Sequence, residues 1–395
     1  MARAQDADAP TLGVGMLGFG FMGKTHTFAH KTIPFYYSPA PARVSLRVVC
    51  TSREETARAA QDVGGYERWT TDESAVIEAY DVDVVHVCTP NHLHFGALAA
   101  AVRAGKHIYV DKPVTANLDE ADRLEHMLGG YGGTAQVALQ YRFFPATLRA
   151  RQLVDEGFLG PVTHFRASYL HGGSVDPGRA VNWKSTAAAG GGVIRDLGPH
   201  VLDLLDWLIG PFEAVNCASR IWAPERPSLE RPGQMMKVDV EEAAAMLLRK
   251  SDGAFGTLDL SKIATGAEDE LRFEIHGRHG AMRFNLMQPN VLEVYDGRLP
   301  DGDLGSRRGW QAIDCVQKYP APGGKFPGGK LSIGWIRSHV HCLYSFLKAI
   351  SEGAEARPSL ADGLHLQRVL EAVRASAESK CWVELPQRVT PCFCC

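Results

Sequence analysis

The sequence predicts an α/β protein with an N-terminal, doubly wound parallel sheet and a C-terminal α+β domain built on a large, open, mainly antiparallel sheet. Up to about residue 140, apolar strand-like runs alternate with helix-like segments, which is typical of a parallel sheet covered on both faces. Beyond residue 140, strand-like runs follow one another across short turns, as in an antiparallel sheet. We therefore expect a flexible tail over residues 1–10, a first domain over 11–140 and a second domain over 141–395.

The helices of the first domain carry recognisable start and stop signals. Asn91 is predicted to cap one helix and Gly105 to end it, while Asn117 and Glu120 have the spacing of a capping box. The prolines of the aromatic insert at 33–41 predict that this segment is not helical. The predicted strands are 12–17, 44–50, 82–88, 107–111 and 134–140, and the predicted helices are 22–31, 53–63, 72–80, 92–104 and 118–128.

The second domain is predicted to form an intersubunit surface. Alternating apolar residues across 254–286 indicate a sheet face that needs a cover, so we expect a homo-oligomer, most simply a tetramer. The Gly- and Pro-rich loop 319–329 is predicted to reach a neighbouring subunit. The predicted strands are 161–170, 213–222, 238–249, 254–263, 270–276, 281–286 and 291–296, and the predicted helices are 334–352 and 359–378.

Composition narrows the class of protein. Of 395 residues, 45% are apolar and 22% charged, which suits a soluble globular protein. A net charge of -3 gives no reason to expect nucleic acid or a membrane as partner. The polar start, Met1–Pro10, argues against a signal peptide, and nine irregularly spaced cysteines favour a reducing cytoplasm. Cys392, Cys394 and Cys395 lie too close together to form a zinc site alone, so we expect an inert tail there and no metal in the protein.

A glycine-rich turn after the first strand predicts a Rossmann dinucleotide-binding domain. Gly18 permits the tight turn, Gly20 lets the backbone approach a pyrophosphate, and Gly23 allows close packing of helix on strand. The phosphates would lie at the N-terminus of the following helix. The predicted cofactor-binding residues of this turn are Gly18, Phe19, Gly20, Phe21, Met22 and Gly23.

The end of the second strand bears on the choice between NAD and NADP. An acidic residue here binds the ribose 2′-hydroxyl, whereas a basic residue accommodates a 2′-phosphate. This chain has Ser52 and Arg53 at that point and no acid before Glu54, which favours NADP. The alternative is that Arg53 is only the solvated start of a helix, which leaves NAD open.

Two later strand ends add polar groups at the same edge of the predicted sheet. Thr89, Pro90, Asn91 and His94 are predicted to contact the cofactor; His92 and His94 have no third ligand spaced to form a metal site with them. Lys112 ends the next strand and is predicted to face the nicotinamide, with the following proline in the cis form fixing its direction. The alternative is a surface lysine in a turn.

Asp196 and His200 follow a run of glycines and are four residues apart, so on one helix they would share a face. An imidazole, a carboxylate and the Lys112 ammonium beside a nicotinamide form a proton-handling set for alcohol oxidation or carbonyl reduction. The predicted catalytic residues are therefore Lys112, Asp196 and His200, with Asp203 placed to orient the imidazole. The alternative is that Asp196 is only a helix N-cap.

These motifs together resemble the Gfo/Idh/MocA oxidoreductase family over nearly the whole chain. The family's Glu-Lys-Pro matches Asp111-Lys112-Pro113, with Asp in place of Glu, and its Gly-Gly…Asp-x-Gly-x-His-x-x-Asp matches 191–203. The segments 20–26, 90–94, 222–227, 238–242 and 273–277 resemble a subgroup of glycoside-oxidising enzymes that includes levoglucosan dehydrogenase. The resemblance implies a Rossmann domain, an open-sheet second domain and an oligomer formed through that sheet.

The resemblance also implies oxidation of a pyranose or pyranoside at a ring hydroxyl, most simply C3, with an inositol as the competing substrate. A non-catalytic sugar or dinucleotide sensor of the same fold is the other class, and the presence of Lys112, Asp196 and His200 favours the enzyme. Gln140 and Lys184 replace the Asn and Arg of relatives, which leaves the precise sugar open. The predicted substrate-binding residues are Tyr141, Arg142, Tyr169, His171, Asn182, Trp183, Lys184, Asp196 and His200, with Asp176 nearby.

Overall fold

The computed structural model describes residues 11–385, so the predictions for residues 1–10 and for the C-terminal cysteines lie outside the described residues. Strands and helices alternate in the first part of the chain, as predicted. In chain order they are β1 (Thr11–Leu17), α1 (Phe21–Tyr36), β2 (Arg43–Cys50), α2 (Glu54–Gly64), β3 (Arg68–Thr70), α3 (Glu73–Ile77), β4 (Val84–Val87), α4 (Asn91–Arg103), β5 (His107–Val110), α5 (Leu118–Met127) and β6 (Ala135–Val137).

The rest of the chain is richer in strands. Its elements are α6 (Pro145–Asp155), β7 (Val162–Leu170), α7 (Val193–Asp196), α8 (Gly198–Ile209), β8 (Ala214–Arg220), β9 (Glu225–Pro227), β10 (Met235–Lys237), β11 (Ala243–Arg249), β12 (Phe255–Ser261), β13 (Glu270–Gly277), β14 (Gly280–Asn285), β15 (Val291–Asp296), β16 (Trp310–Asp314), α9 (Trp335–Glu352), α10 (Leu360–Ser379) and β17 (Val383–Glu384).

The chain divides into two compact units. Among the described residues, the first comprises 11–145, 188–190 and 316–364, and the second comprises 146–187, 191–315 and 365–385. The second unit begins at residue 146, whereas the second domain was predicted to begin at 141, and 316–364, predicted in the second domain, packs with the first unit. The reason is the apolar side of α9, whose Val340, Leu343 and Phe346 are fully buried in one core with residues of α1 and β1.

The sheet of the first unit is parallel throughout, in the order β3-β2-β1-β4-β5-β6. The carboxyl ends of β1, β2, β4 and β5 therefore lie along one edge, where ligands bind in such sheets. Helix α1 runs through Pro34 to Tyr36, so the prediction of a non-helical insert was wrong for residues 33–36 and right for 37–41. Pro34 removes only one hydrogen bond in the last turn, and the buried side chains of Ile33 and Tyr37 hold that turn against the core.

The second unit contains a nine-stranded sheet in the order β16-β15-β14-β13-β7-β12-β11-β8-β17. Only β7 and β12 pair in parallel, so the sheet is mainly antiparallel as predicted. Its alternating apolar residues, such as Phe165, Leu258 and Phe273, are buried. The opposite face is largely polar, with a charged pair between Arg283 and Glu293, and two apolar side chains, Leu247 and Phe255, are exposed on it.

Loop 319–329 packs within its own first unit. Tyr319 donates a hydrogen bond to the carbonyl oxygen of Phe143 at 3.0 Å, and Arg337 donates to the carbonyl oxygen of Gly323 at 3.1 Å. Phe326 lies edge-on to Tyr36 of α1. These contacts lie within one chain, and the reach of the loop to a neighbouring subunit stays a prediction. No helix among residues 11–385 is long and apolar enough to cross a membrane.

Candidate active site

The glycine turn has the geometry that a dinucleotide pyrophosphate requires. Gly18 has φ +86°, in the left-handed region, and its N–H donates to the carbonyl oxygen of Cys50 at 2.9 Å. A Cβ at Gly23 would overlap the carbonyl oxygen of Gly18, whereas the space around Gly20 is open. No side chain caps the N-terminus of α1, which leaves its first N–H groups available to phosphate. The residues present therefore fit the cofactor.

The end of β2 presents Ser52 and Arg53, both exposed. Thr51 turns away from this edge and shares a hydrogen bond with Thr56 at 2.6 Å between the two hydroxyl oxygens. Arg53 is the N-cap position of α2 and gives no side-chain cap. A hydroxyl and a guanidinium therefore stand where the adenosine ribose of a bound dinucleotide is recognised.

The loops after β4 and β5 are joined by His94, which is fully buried. Its Nδ1 lies 2.9 Å from the carbonyl oxygen of Pro113 and its Nε2 lies 2.8 Å from that of Thr89. Burial lowers the pKa of His94 although these carbonyls act in the opposite direction. His94 thus fixes both loops, and its direct contact with cofactor stays a prediction.

Two other predictions at these loops have definite outcomes. The Lys112–Pro113 peptide is cis, which confirms that expectation. Asn91 does not cap α4: Pro90 is the N-cap, and the Asn91 amide donates instead to the carbonyl oxygen of Gly190 at 2.9 Å. Thr89 carries a buried hydroxyl with no hydrogen-bond partner among the described residues. A bound ligand could supply that partner, as expected of a loop at a binding site.

Tyr141 and Arg142, predicted to bind substrate, belong to the first unit and are buried. The indole of Trp335 donates to the hydroxyl of Tyr141 at 3.2 Å. Arg142 interacts electrostatically with Asp362. Both residues therefore have partners within their own unit, and their contact with substrate stays a prediction.

Asp196 and His200 lie in the second unit, on two successive helices rather than one. Asp196 ends α7 and His200 lies in the first turn of α8, with Leu197 between the helices. Pro199 explains the break, because it has no N–H to donate to the carbonyl four residues before it. The prediction that Asp196 and His200 share one continuous helix was therefore wrong. Gly192, not Asp196, is the N-cap of α7.

Two ammonium groups hold the carboxylate of Asp196. Lys184 Nζ lies 3.1 Å from Oδ1, and Lys262 Nζ lies 2.9 Å from Oδ2. The Lys184 side chain is 47% exposed and that of Lys262 only 16% exposed. The arrangement is a charge cluster in which Asp196 is the central acid.

A second polar group adjoins His200. The hydroxyl of Tyr169 donates to Asp269 Oδ1 at 2.7 Å, and His171 Nε2 lies 3.0 Å from the same oxygen. The Tyr169 ring lies edge-on to His200, with ring centroids 5.9 Å apart. Asp269 thereby fixes the aromatic ring that packs against the predicted base.

The remaining predicted substrate residues line or flank a pocket of about 250 Å³ in the second unit. Asn182 accepts a hydrogen bond from the N–H of Lys184 at 3.1 Å, and the Lys184 ammonium lies 5.7 Å from the centre of the Trp183 ring. Asp176 accepts from the N–H of Gly178, so its carboxylate stabilises its own loop. The pocket lining includes His171, Asn182, Lys184, Glu241 and Lys262.

Three residues of this second-unit site were not predicted from the sequence. Glu241 holds the start of α7, since its carbonyl oxygen accepts from Val193 N–H at 2.9 Å and its carboxylate from Ile194 N–H at 3.0 Å. Burial raises the pKa of Glu241, while its hydrogen bonds and the charge of Lys262 oppose that shift. Glu241 lies within the segment 238–242 that resembles the subgroup, whereas Lys262 and Asp269 lie in a loop without any local signal. No cluster of His, Cys, Asp or Glu within residues 11–385 is arranged to hold a metal.

The fold and the site define a nicotinamide-dependent oxidoreductase. The family model described as an oxidoreductase family with an NAD-binding Rossmann fold matches residues 12–139, and the GFO/IDH/MocA C-terminal domain matches 147–283. Levoglucosan dehydrogenase of Pseudarthrobacter phenanthrenivorans is 34% identical over 95% of this chain and 98% of its own. The chain belongs to the Gfo/Idh/MocA oxidoreductase family.

Two further relatives extend the comparison. Inositol 2-dehydrogenase of Rhizobium meliloti is 25% identical over 94% of this chain and 98% of its own. A solved structure of levoglucosan dehydrogenase in complex with NADH and levoglucosan has a TM-score of 0.90, with 34% identity over 95% of this chain and 100% of that one. The fold and cofactor class predicted from the sequence are thereby confirmed.

Proposed function

We propose that this protein is a sugar dehydrogenase that oxidises a ring hydroxyl of a pyranose or pyranoside, at C3, to a keto sugar. The observation that carries the proposal is the second-unit pocket, which is lined by hydrogen-bonding side chains that include both lysines paired with Asp196. Such a lining suits a ligand that presents several hydroxyls. The name of the full-length relative, levoglucosan dehydrogenase, supports the same substrate class.

In the proposed reaction His200 is the general base, which takes the proton of the sugar hydroxyl. Bound NAD(P) supplies the hydride acceptor, nicotinamide C4. Lys112 donates a hydrogen bond to the same oxygen and stabilises the negative charge that develops on it. Asp196 orients the substrate or the ammonium groups around it. Tyr169 and Asp269 hold the His200 ring in place.

The substrate class is tested by following NADH or NADPH formation with levoglucosan, methyl glucosides, aryl glycosides, glucose and inositols. Oxidation of pyranosides, with a 3-keto product identified by NMR, would support the proposal. Activity confined to inositols would favour the function named for the inositol relative. Tight dinucleotide binding with no turnover of any polyol would favour the sensor.

For the cofactor we propose NADP in preference to NAD, which rests on Ser52 and Arg53. A 2′-phosphate would pair with the guanidinium of Arg53, and the end of β2 carries no acid before Glu54 to bind a ribose 2′-hydroxyl. Fluorescence titration with NADH and NADPH decides the matter, with Arg53→Ala as the variant. If NADH binds at least as tightly and Arg53→Ala leaves NADPH affinity unchanged, the preference is wrong.

We also propose a cytoplasmic homo-oligomer, a tetramer, assembled through the open face of the nine-stranded sheet. The exposed Leu247 and Phe255 on that face support the interface. The cysteines of residues 11–385 are all free thiols, which is consistent with a reducing compartment.

A further inference from the structure

Lys262 is the more buried of the two ammonium groups on Asp196. It follows β12 directly, and its backbone is fixed on both sides: its N–H donates to the carbonyl oxygen of Glu242 at 2.8 Å, and its carbonyl oxygen accepts from the N–H of Ser174 at 2.8 Å. Its side chain is only 16% exposed, so the surrounding residues restrict the positions that the ammonium can take. Lys262 is therefore well suited to hold a carboxylate in one orientation.

Asp196 needs such a support because its helix is very short. Helix α7 has four residues, and Asp196 is the last of them. The other end is held by Glu241, which accepts hydrogen bonds from the N–H groups of Val193 and Ile194. The positive charge of Lys262 also acts on Glu241, where it lowers the pKa against the effect of burial. Lys262 thus pairs with the acid at the C-terminal end of α7 and acts electrostatically on the acid that holds its N-terminal end.

We propose that Lys262 is a positioning residue of the dehydrogenase reaction, which acts by fixing the carboxylate of Asp196. The inference rests on the proposed function, because Asp196 matters for catalysis only if the protein oxidises an alcohol at this site. Lys184 is less suited to this role, because its side chain is 47% exposed and an exposed ion pair contributes little.

The test is steady-state kinetics of Lys262→Met with the best sugar of the panel. We expect kcat to fall about 10- to 100-fold, the loss that follows from a small misplacement of a reacting group. The KM of the sugar and the affinity for NADH should change less than threefold. Lys262→Arg, which keeps the cation, should recover most of kcat.

Lys250→Met is the matched control. Lys250 is also a largely buried lysine paired with an acid, Asp252, at 3.1 Å, and it lies in the turn between β11 and β12. This variant removes an ion pair of a buried lysine elsewhere in the same sheet and should leave kcat unchanged. A second comparison places Lys262→Met in an Asp196→Asn background, where the lysine has no carboxylate to orient and its loss should cost little more.

Each other outcome overturns the inference. A rise in the sugar KM at constant kcat would make Lys262 a substrate ligand rather than a positioning residue. Equal losses in Lys262→Met and Lys250→Met, without recovery in Lys262→Arg, would make its role structural. Normal sugar oxidation by Lys262→Met overturns this inference alone, whereas no sugar oxidation by the unaltered protein overturns the proposed function and this inference together.

Discussion

His200 lies in the first turn of α8, is 8% exposed and packs against the ring of Tyr169. As the proposed base, it removes the proton as the hydride leaves. We expect His200→Ala to lower kcat by about 100- to 10,000-fold, the usual contribution of a general base. The affinity for NADH, measured by fluorescence, should stay the same, because His200 is assigned to proton transfer from the sugar and not to cofactor binding.

The matched control is His276→Ala. His276 is a half-buried histidine of the second unit, and it lies on the open face of the nine-stranded sheet, on β13. It should retain the turnover of the unaltered protein. Near-normal turnover in His200→Ala would reject the assignment of His200 as base, whatever the control shows.

Gly192 controls the start of α7 and thereby the position of Asp196. It has φ +106°, and a Cβ there would collide with the carboxylate of Glu241. We expect Gly192→Ala to lower the free energy of unfolding by about 1–3 kcal/mol through backbone strain, with the collision adding to the loss. Urea denaturation followed by circular dichroism measures the change.

Gly253→Ala separates strain from collision. Gly253 has φ +88°, but nothing lies within 4 Å of the added Cβ. It should cost about 1 kcal/mol, the lower end of such strain. If both variants lose the same free energy, the contact with Glu241 does not position α7.

At the residue scale, sequence patterns predicted the groups that follow one another closely along the chain. The turn Gly18–Gly23 and the pair Asp196 and His200 carry local spacing, so they were identifiable. Lys262 and Asp269 were missed because their partners, Asp196 and Tyr169, are far away in sequence. Such pairings form only when distant segments meet in the folded chain, and no local pattern encodes them.

At the scale of elements, the surroundings of α1 contain several buried histidines. His26 and His30 lie on α1 and His86 on β4, with 2.8 Å between His30 Nε2 and His86 Nε2. Burial lowers the pKa of His26 and of His30 from 6.5 to about 3, and it lowers the pKa of His86 and of His339 as well. These histidines are therefore neutral in the folded protein at neutral pH.

A lowered histidine pKa makes the folded state less stable in acid. Between pH 6.5 and about 3 the unfolded chain binds protons that the folded chain does not, so stability rises with pH in this range. Each such histidine contributes about 1.4 kcal/mol per pH unit below 6.5. We expect the urea midpoint to fall steeply between pH 6.5 and 5, and to change little from histidine between pH 7.5 and 8.5.

His339→Phe tests this account. Neither ring nitrogen of His339 has a hydrogen-bond partner within the described part of the chain, so the change removes a titrating group and no hydrogen bond. In the variant, the slope of the unfolding free energy against pH should correspond to about one proton fewer taken up on unfolding. An unchanged slope below pH 6.5 would mean that the buried histidines do not cause the acid sensitivity.

Element types followed from periodicity, and element ends did not. Helix α5 begins at the predicted cap, because the side chain of Asn117 accepts from the N–H of Glu120 at 3.0 Å. Helix α1 extends past the predicted stop at residue 31, since buried contacts of Ile33 and Tyr37 outweigh the loss at Pro34. Tertiary packing thus decided where local signals were weak.

At the scale of the whole molecule, the order of the two domains was predictable from the sequence. The return of residues 316–364 to the first unit was not. Residues 316–364 join the first unit through α9, whose apolar side faces the core around α1 and β1. The periodicity of α9 predicts a buried side without saying which core covers it. The alternation in 254–286 likewise predicted a covered sheet face. The apolar side chains of that face are buried, but residues of the same chain cover them.

The proposed oligomer therefore depends on the other face of the sheet. Leu247 on β11 and Phe255 on β12 are 44% and 55% exposed there, on paired strands. We expect sedimentation at micromolar concentration to show an oligomer, and Leu247→Glu or Phe255→Glu to shift it toward monomer. A carboxylate left unpaired in an apolar contact costs at least about 2 kcal/mol, or about 30-fold in the dissociation constant.

Phe35→Glu provides the control for this prediction, because Phe35 on α1 is 67% exposed and belongs to the first unit. It should leave the sedimentation coefficient unchanged if the sheet forms the interface. Dissociation by Phe35→Glu, with intact oligomers in Leu247→Glu and Phe255→Glu, would move the interface to α1. A monomer in the unaltered protein would contradict assembly altogether. The monomer result would leave the chemistry proposed for His200 and Asp196 intact, because the contacts recorded around these two residues come from a single chain.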